Sequence, residues 1–143
     1  MSAVPFHYVD LRAFCYSTED EKRVETALRT FLPDEAELER EETTGHHGDR
    51  ILVLSTRLER ADEIRHVLSA LASLGDFETL LDQLELRIDD NCAFFLQLDK
   101  QRAYQGSVEL GDGLLLRGKV EAYPAKKERA IGIAREALEA LAE

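Results

Sequence analysis

The stretch Phe6-His7-Tyr8-Val9-Asp10-Leu11-Arg12-Ala13-Phe14-Cys15-Tyr16 alternates in character with a period of two. Val9, Leu11, Ala13 and Cys15 fall on one side, and Tyr8, Asp10, Arg12, Phe14 and Tyr16 on the other. Successive strand side chains point to opposite faces, so the pattern predicts a strand with one core face and one face carrying aromatics and charge.

Downstream, Thr18 followed by Glu21 reads as a capping box, and Val24, Ala27, Leu28 and Phe31 recur at helical spacing. Pro33 stops this helix by Leu32. Glu35 to Thr44 is acidic and reads as an exposed edge strand whose charges oppose edge-to-edge pairing. The turn Gly45 to Arg50 leads into a second hairpin arm, Ile51 to Leu58. Ile64, Val67, Leu68, Leu71 and Leu74 mark an amphipathic helix closed by Gly75; Phe77, Leu80, Leu81, Leu84 and Ile88 mark a second, capped by Asp76. After the turn Asp89-Asp90-Asn91, Ala93 to Leu98 is a strand with Phe94, Leu96 and Leu98 inward, and Asp99 caps a single helical turn ending at Gly106. Ser107 to Leu110 and Leu114 to Tyr123 read as a hairpin across Gly111-Asp112-Gly113. Pro124 opens a final helix that buries Ala130, Ile133, Ala134, Ala137, Leu138 and Leu141. This order predicts an α+β fold, a two-layer sandwich with a mainly antiparallel (mixed) sheet and helices packed on one face. A chain of 143 residues suffices for one domain over 1–143.

The chain carries 29 acids against 18 basic residues, a net charge of −11. Thirteen of the cations are arginines and only five are lysines. Dense carboxylates with few lysines suit a halophilic, archaeal cytosol of molar salt, where the Debye length shrinks to ~3 Å. With neither an apolar leader nor a membrane-length apolar run, the expectation is a cytoplasmic protein with no membrane association. Cys15 and Cys92 have no metal-type spacing, so neither a metal site nor a disulfide is implied.

Asp99 to Arg135 runs against this acidity, with eight basic residues and five acids, a balance of +3. Lys100, Arg102 and Tyr104 on the short turn, with Lys119, Lys126 and Lys127 beyond it, form a set suited to a polyanion such as RNA. Arg12, Phe14 and Tyr123 join them from the open face of the sheet, because arginines beside aromatics suit unstacked bases. His46 and His47 invite a metal or catalytic reading. Neighbours in an extended loop point apart, and Asp49 is the one carboxylate near them, so they are read as turn residues with a role limited to RNA contact.

Leu98 to Gly106, Gly45 to Ile51, Asp10 to Cys15 with Thr18-Glu19-Asp20, and Tyr123 to Glu128 together resemble an archaeal family of small proteins described as predicted RNA-binding proteins and, for some, predicted exosome subunits. The resemblance runs along nearly the whole chain. It implies a sheet backed by helices, similar to a ribosomal protein of the large subunit, with RNA, single-stranded or structured, and exosome or other RNA-processing proteins as partners. Tyr16 stands where histidine is associated with relatives, so no chemistry is assigned to it.

Two readings follow: a non-catalytic RNA-binding protein, or a structural subunit of an RNA-processing assembly that forms a homodimer through Tyr8, Phe14, Tyr16 and Phe95 without touching RNA. An enzyme is not expected, since no nucleophile triad, phosphate-binding loop or dinucleotide motif is present; no catalytic residue and no cofactor are assigned.

Overall fold

A computed structural model describes residues 4–142. Its elements are β1 (Phe6–Tyr16), α1 (Glu21–Arg29), β2 (Glu39–Thr44), β3 (Arg50–Leu58), α2 (Ala61–Leu71), α3 (Phe77–Asp82), α4 (Leu84–Arg87), β4 (Ala93–Asp99), α5 (Lys100–Tyr104), β5 (Gly113–Val120) and α6 (Lys127–Ala142). The strands form one open sheet in the order β2-β3-β1-β5-β4. Every neighbouring pair is antiparallel, so the sheet is antiparallel throughout rather than mixed.

The alternation of β1 places it at the centre. Val9 lies between Leu58 and Gly118, Leu11 between Thr56 and Leu116, and Ala13 between Leu54 and Leu114. These residues share a core with Leu28 and Phe31, with Ile64, Val67, Leu68 and Leu71 of α2, and with Ala130, Ala134 and Leu138 of α6. Full burial of a leucine or phenylalanine contributes about 1.5–3 kcal/mol, so the helices are held to this one face by apolar area. Phe6 breaks the alternation and turns inward, because the register shifts between Phe6 and Tyr8. Gly118 makes room for its ring: a Cβ there would stand 3.0 Å from the ring carbons.

Several local expectations are corrected. The cap of α1 is Asp20, whose Oδ1 accepts the Lys22 N–H at 2.9 Å, because a turn from Tyr16 O to Glu19 N takes up Thr18 first. The edge strand begins at Glu39, since the preceding residues turn to bury Ala36 and to pack Leu38 against the core. The second helical stripe divides at Gln83, whose φ of −99° and ψ of 6° interrupt the helix, and Asp76 makes no side-chain cap bond. Strand β5 pairs with β4 rather than with Ser107 to Leu110. That segment instead crosses the outer edge of β4, bridging Leu98 to Leu110, with the Glu109 carbonyl accepting the Asp99 N–H and the following Gly111 N–H donating to the Gln97 carbonyl. Tyr123-Pro124 is a cis bond and α6 starts later, at Lys127. Among the described residues, no helix is long and apolar enough to cross a membrane.

Candidate nucleic-acid interface

The core takes every second side chain of β1, β3 and β5, and the others, partly or fully exposed, share a face that no helix covers among the described residues. Register fixes the neighbours there. Tyr8 lies opposite Lys119; Asp10 lies between Arg57 and Arg117; Arg12 lies between Ser55 and Leu115. On β4, Phe95 lies opposite Arg117 and Gln97 opposite Leu115. Arg57 grips Asp10 with two hydrogen bonds, Nε to Oδ1 at 2.7 Å and Nη2 to Oδ2 at 2.9 Å, and lies 3.9 Å above the Tyr8 ring. The Asp10 bonds raise the Arg57 pKa and fix its plane. Arg117 sits 5.3 Å over the Phe95 ring. Neither Arg117 nor the exposed Arg12 has an ion-pair partner among the described residues.

On β1, β3 and β5 this face holds four cations (Arg12, Arg57, Arg117, Lys119) and one acid, Asp10, against the charge of the whole chain. Its acidic side is β2, where Glu39 and Glu41 lie opposite Ser55 and Val53. Asp10, Arg12, Ser55, Arg57, Phe95 and Arg117 line a shallow depression of about 320 Å³, with Glu39 at its β2 side.

The remaining residues picked out in the sequence are dispersed around this face. Lys100 is turned inward: its Nζ donates to the Phe14 carbonyl at 2.9 Å and to Glu19 Oε1 at 2.8 Å, with the side chain 13% exposed. Arg102 lies 3.5 Å from Glu109, and the Tyr104 ring is half exposed beneath Arg23. These sit where β1 ends, as does the β2–β3 hairpin tip with exposed His46 and His47, whose rings meet edge to face at 5.0 Å. Among the described residues, no group of three histidine, cysteine or acidic side chains is placed to hold a metal. Lys119 is on the open face but donates to the Asn91 carbonyl. Lys126, Lys127 and the exposed Tyr123 follow β5, at the opposite end of the sheet, and neither lysine has an ion-pair partner among the described residues. Sequence reasoning did not select Arg57 and Arg117 for this site. Their alternation with leucines was readable, but the register that sets Arg117 beside Phe95 was not.

A helix-free sheet face with rings and guanidinium groups in one depression has the parts that hold unstacked bases and phosphates. A family model described as RNA binding matches residues 8–120, from within β1 to the end of β5. The chain belongs to this RNA-binding family. The matched span contains all five strands except Phe6 and His7 at the start of β1, and excludes Lys126 and Lys127. An RNA-binding protein from Pyrococcus abyssi is 35% identical, over 93% of this chain and 94% of that protein. An uncharacterized protein from Methanocaldococcus jannaschii is 30% identical over 73% and 76%. A solved structure of a DUF54 protein from Methanothermobacter thermautotrophicus is 41% identical and superimposes with a TM-score of 0.81, covering 93% of this chain and 98% of that one.

Proposed function

We propose that this is a small non-catalytic RNA-binding protein whose interface is the helix-free face of the sheet. The observation that carries this reading is Arg117 lying 5.3 Å over the Phe95 ring, beside an Arg12 that has no ion-pair partner among the described residues, on a face that none of the described helices covers. Phe95, Phe14 and Tyr8 offer rings to bases, and Arg12 and Arg117 draw phosphates. Lys119 lies on the face itself, Arg102, Tyr104, Lys126, Lys127, His46 and His47 flank it at its two ends, and Lys100 serves as a clamp that fixes α5 to the end of β1.

Binding at molar salt demands this mixture. Each phosphate contact on a single strand gives a salt slope of ~0.7, so charge alone fades as KCl rises. Stacking at ~1–3 kcal/mol per base persists. The acidic composition of the chain, with 13 arginines to five lysines overall, fits a protein adapted to a salt-rich cytoplasm. We extend this proposal to association with the exosome or other RNA-processing proteins, and co-purification from the native cell at native salt tests it.

The direct test is RNA affinity across a KCl series. Phe95→Ala is expected to weaken binding roughly fivefold to hundredfold at every salt concentration. Arg12→Gln with Arg117→Gln is expected to lose affinity mainly at low salt and to flatten the slope by about 1.4. A wild type that binds no RNA, yet self-associates independently of salt, would transfer the face to the homodimer reading.

A further inference from the structure

We infer that Arg87 is a phosphate-binding residue of this interface, and that a bound RNA strand runs across the sheet, from β1 over β5 and off the β4 edge. This rests on the reading of the open face as the RNA interface and gives it a direction.

The depression on the open face does not end at Phe95. A second hollow of about 440 Å³, lined by Leu86, Arg87, Phe95, Gln97, Leu110 and Gly111 among others, shares both Phe95 and Leu115 with the first. The two hollows adjoin at Phe95 and Leu115; taken together as a trough, they begin at Glu39, Arg12 and Arg57, pass the Phe95 ring and reach Arg87 beyond the β4 edge.

Arg87 is equipped for an anion. It is partly buried, and its Nε and Nη2 both donate to Gln83 Oε1, at 3.1 and 2.7 Å. Gln83 is neutral, so it fixes the plane of the guanidinium without compensating its charge. No carboxylate pairs with Arg87 among the described residues. Burial lowers its pKa, but a guanidinium remains protonated in proteins. A cation partly withdrawn from water, held in one orientation and lacking a counter-charge gains most from a phosphate, whose oxygens match the unused Nη1 edge.

Charge disfavours the opposite direction. A strand leaving β1 towards β2 would meet Glu39 and Glu41 on the same face. Across β5 and β4 it meets Arg117, Phe95 and then Arg87, with the 86% exposed Leu86 at the trough's rim. Two strand spacings, about 10 Å, separate β1 from β4, so a few nucleotides span the trough.

The test uses the full chain and a labelled ten-nucleotide single-stranded RNA, titrated between about 0.15 and 1 M KCl. Arg87→Gln is expected to bind about fourfold more weakly at ~0.15 M, to converge with the wild type near 1 M, and to lower the salt slope by ~0.7. Arg87→Lys is expected to keep the slope. In the wild type, the Arg87 Nε–H resonance is expected to shift on RNA addition, a readout that does not depend on any variant folding. If the wild type binds and depends on Phe95, but Arg87→Gln leaves affinity and slope unchanged or the Arg87 resonance stays still, the path across β4 is wrong and the interface stands. If the wild type binds no RNA, the interface itself is wrong, and the path falls with it.

Discussion

Replacing Lys100 by methionine separates a structural cation from a ligand-binding one. Its ammonium donates to Glu19 Oε1 and to the Phe14 carbonyl, and the same Oε1 accepts the Tyr16 N–H at 3.1 Å. The Lys100 stem fills the space above Gly113, where φ is +108° and a Cβ would come within 2.7 Å of the Lys100 Cβ. Methionine keeps the stem and removes the ammonium, leaving the Phe14 carbonyl and the Glu19 carboxylate each short of a donor. Leaving such groups unpaired costs about 1–3 kcal/mol. The lower half of that range fits best, since Glu19 is 31% exposed and water replaces part of what it loses. For a chain of this length each kcal/mol shifts Tm by about 2–4 °C, so a fall of roughly 2–8 °C is expected by circular dichroism in molar KCl. RNA affinity at 25 °C, well below the transition, should stay within about twofold of wild type. A cycle with Glu19→Gln should show a coupling of about 0.5 kcal/mol or more. An unchanged Tm together with a salt-dependent loss of RNA affinity would refute the reasoning, because it would mean that the ammonium meets phosphate rather than Glu19.

Transfer from molar to millimolar KCl should lower Tm, because the Debye length grows from ~3 to ~30 Å or more and releases the repulsion among Glu39, Glu41 and Glu42 on the exposed β2; a flat Tm across that range would remove the salt-adapted reading. Zinc, manganese and nickel should leave Tm unaltered, since any ligand of the native state must raise it by mass action, and a saturable rise lost in His46→Ala would restore a metal role to the hairpin tip. Burial first, and then the neighbouring Glu19, raise the Cys15 thiol above its ordinary 9.0. The folded state therefore favours the protonated thiol, a contribution present below pH 9 and lost as pH rises through the higher folded value, so Cys15→Ala should flatten the alkaline decline of stability. Iodoacetamide should also label Cys15 slowly at pH 8 in the folded protein, and rapid labelling would contradict its burial.

Much of this architecture is legible in local pattern. Period two in β1 gave both its faces, and the apolar spacings of α2 and α6 gave the helices that cover one of them. Strand pairing was harder, because it depends on partners distant in sequence. Nothing within Ser107 to Leu110 reveals that it will lie against the outer edge of β4 while β5 takes the inner one. The same limit governs the candidate site. Arg12 and Phe14 could be chosen because they share a strand with obvious alternation, whereas Arg117 gains its meaning from Phe95 on another strand. Lys100 shows the converse. Local charge contrast drew attention to it, but its partner Glu19 lies far back in the chain, and only the fold brings the two together. Arg87 sits in an amphipathic pattern that reads as an ordinary solvated helix face, and its lack of a carboxylate partner among the described residues is visible only in three dimensions.

The most direct measurement is chemical-shift mapping of the isotope-labelled protein in molar KCl during titration with a short single-stranded RNA. Binding on the open face predicts saturable shifts concentrated on Tyr8, Arg12, Phe14, Phe95 and Arg117, with the core-facing helices α2 and α6 little changed. Shifts confined to α2 and α6, or to Lys126 and Lys127 alone, would contradict it.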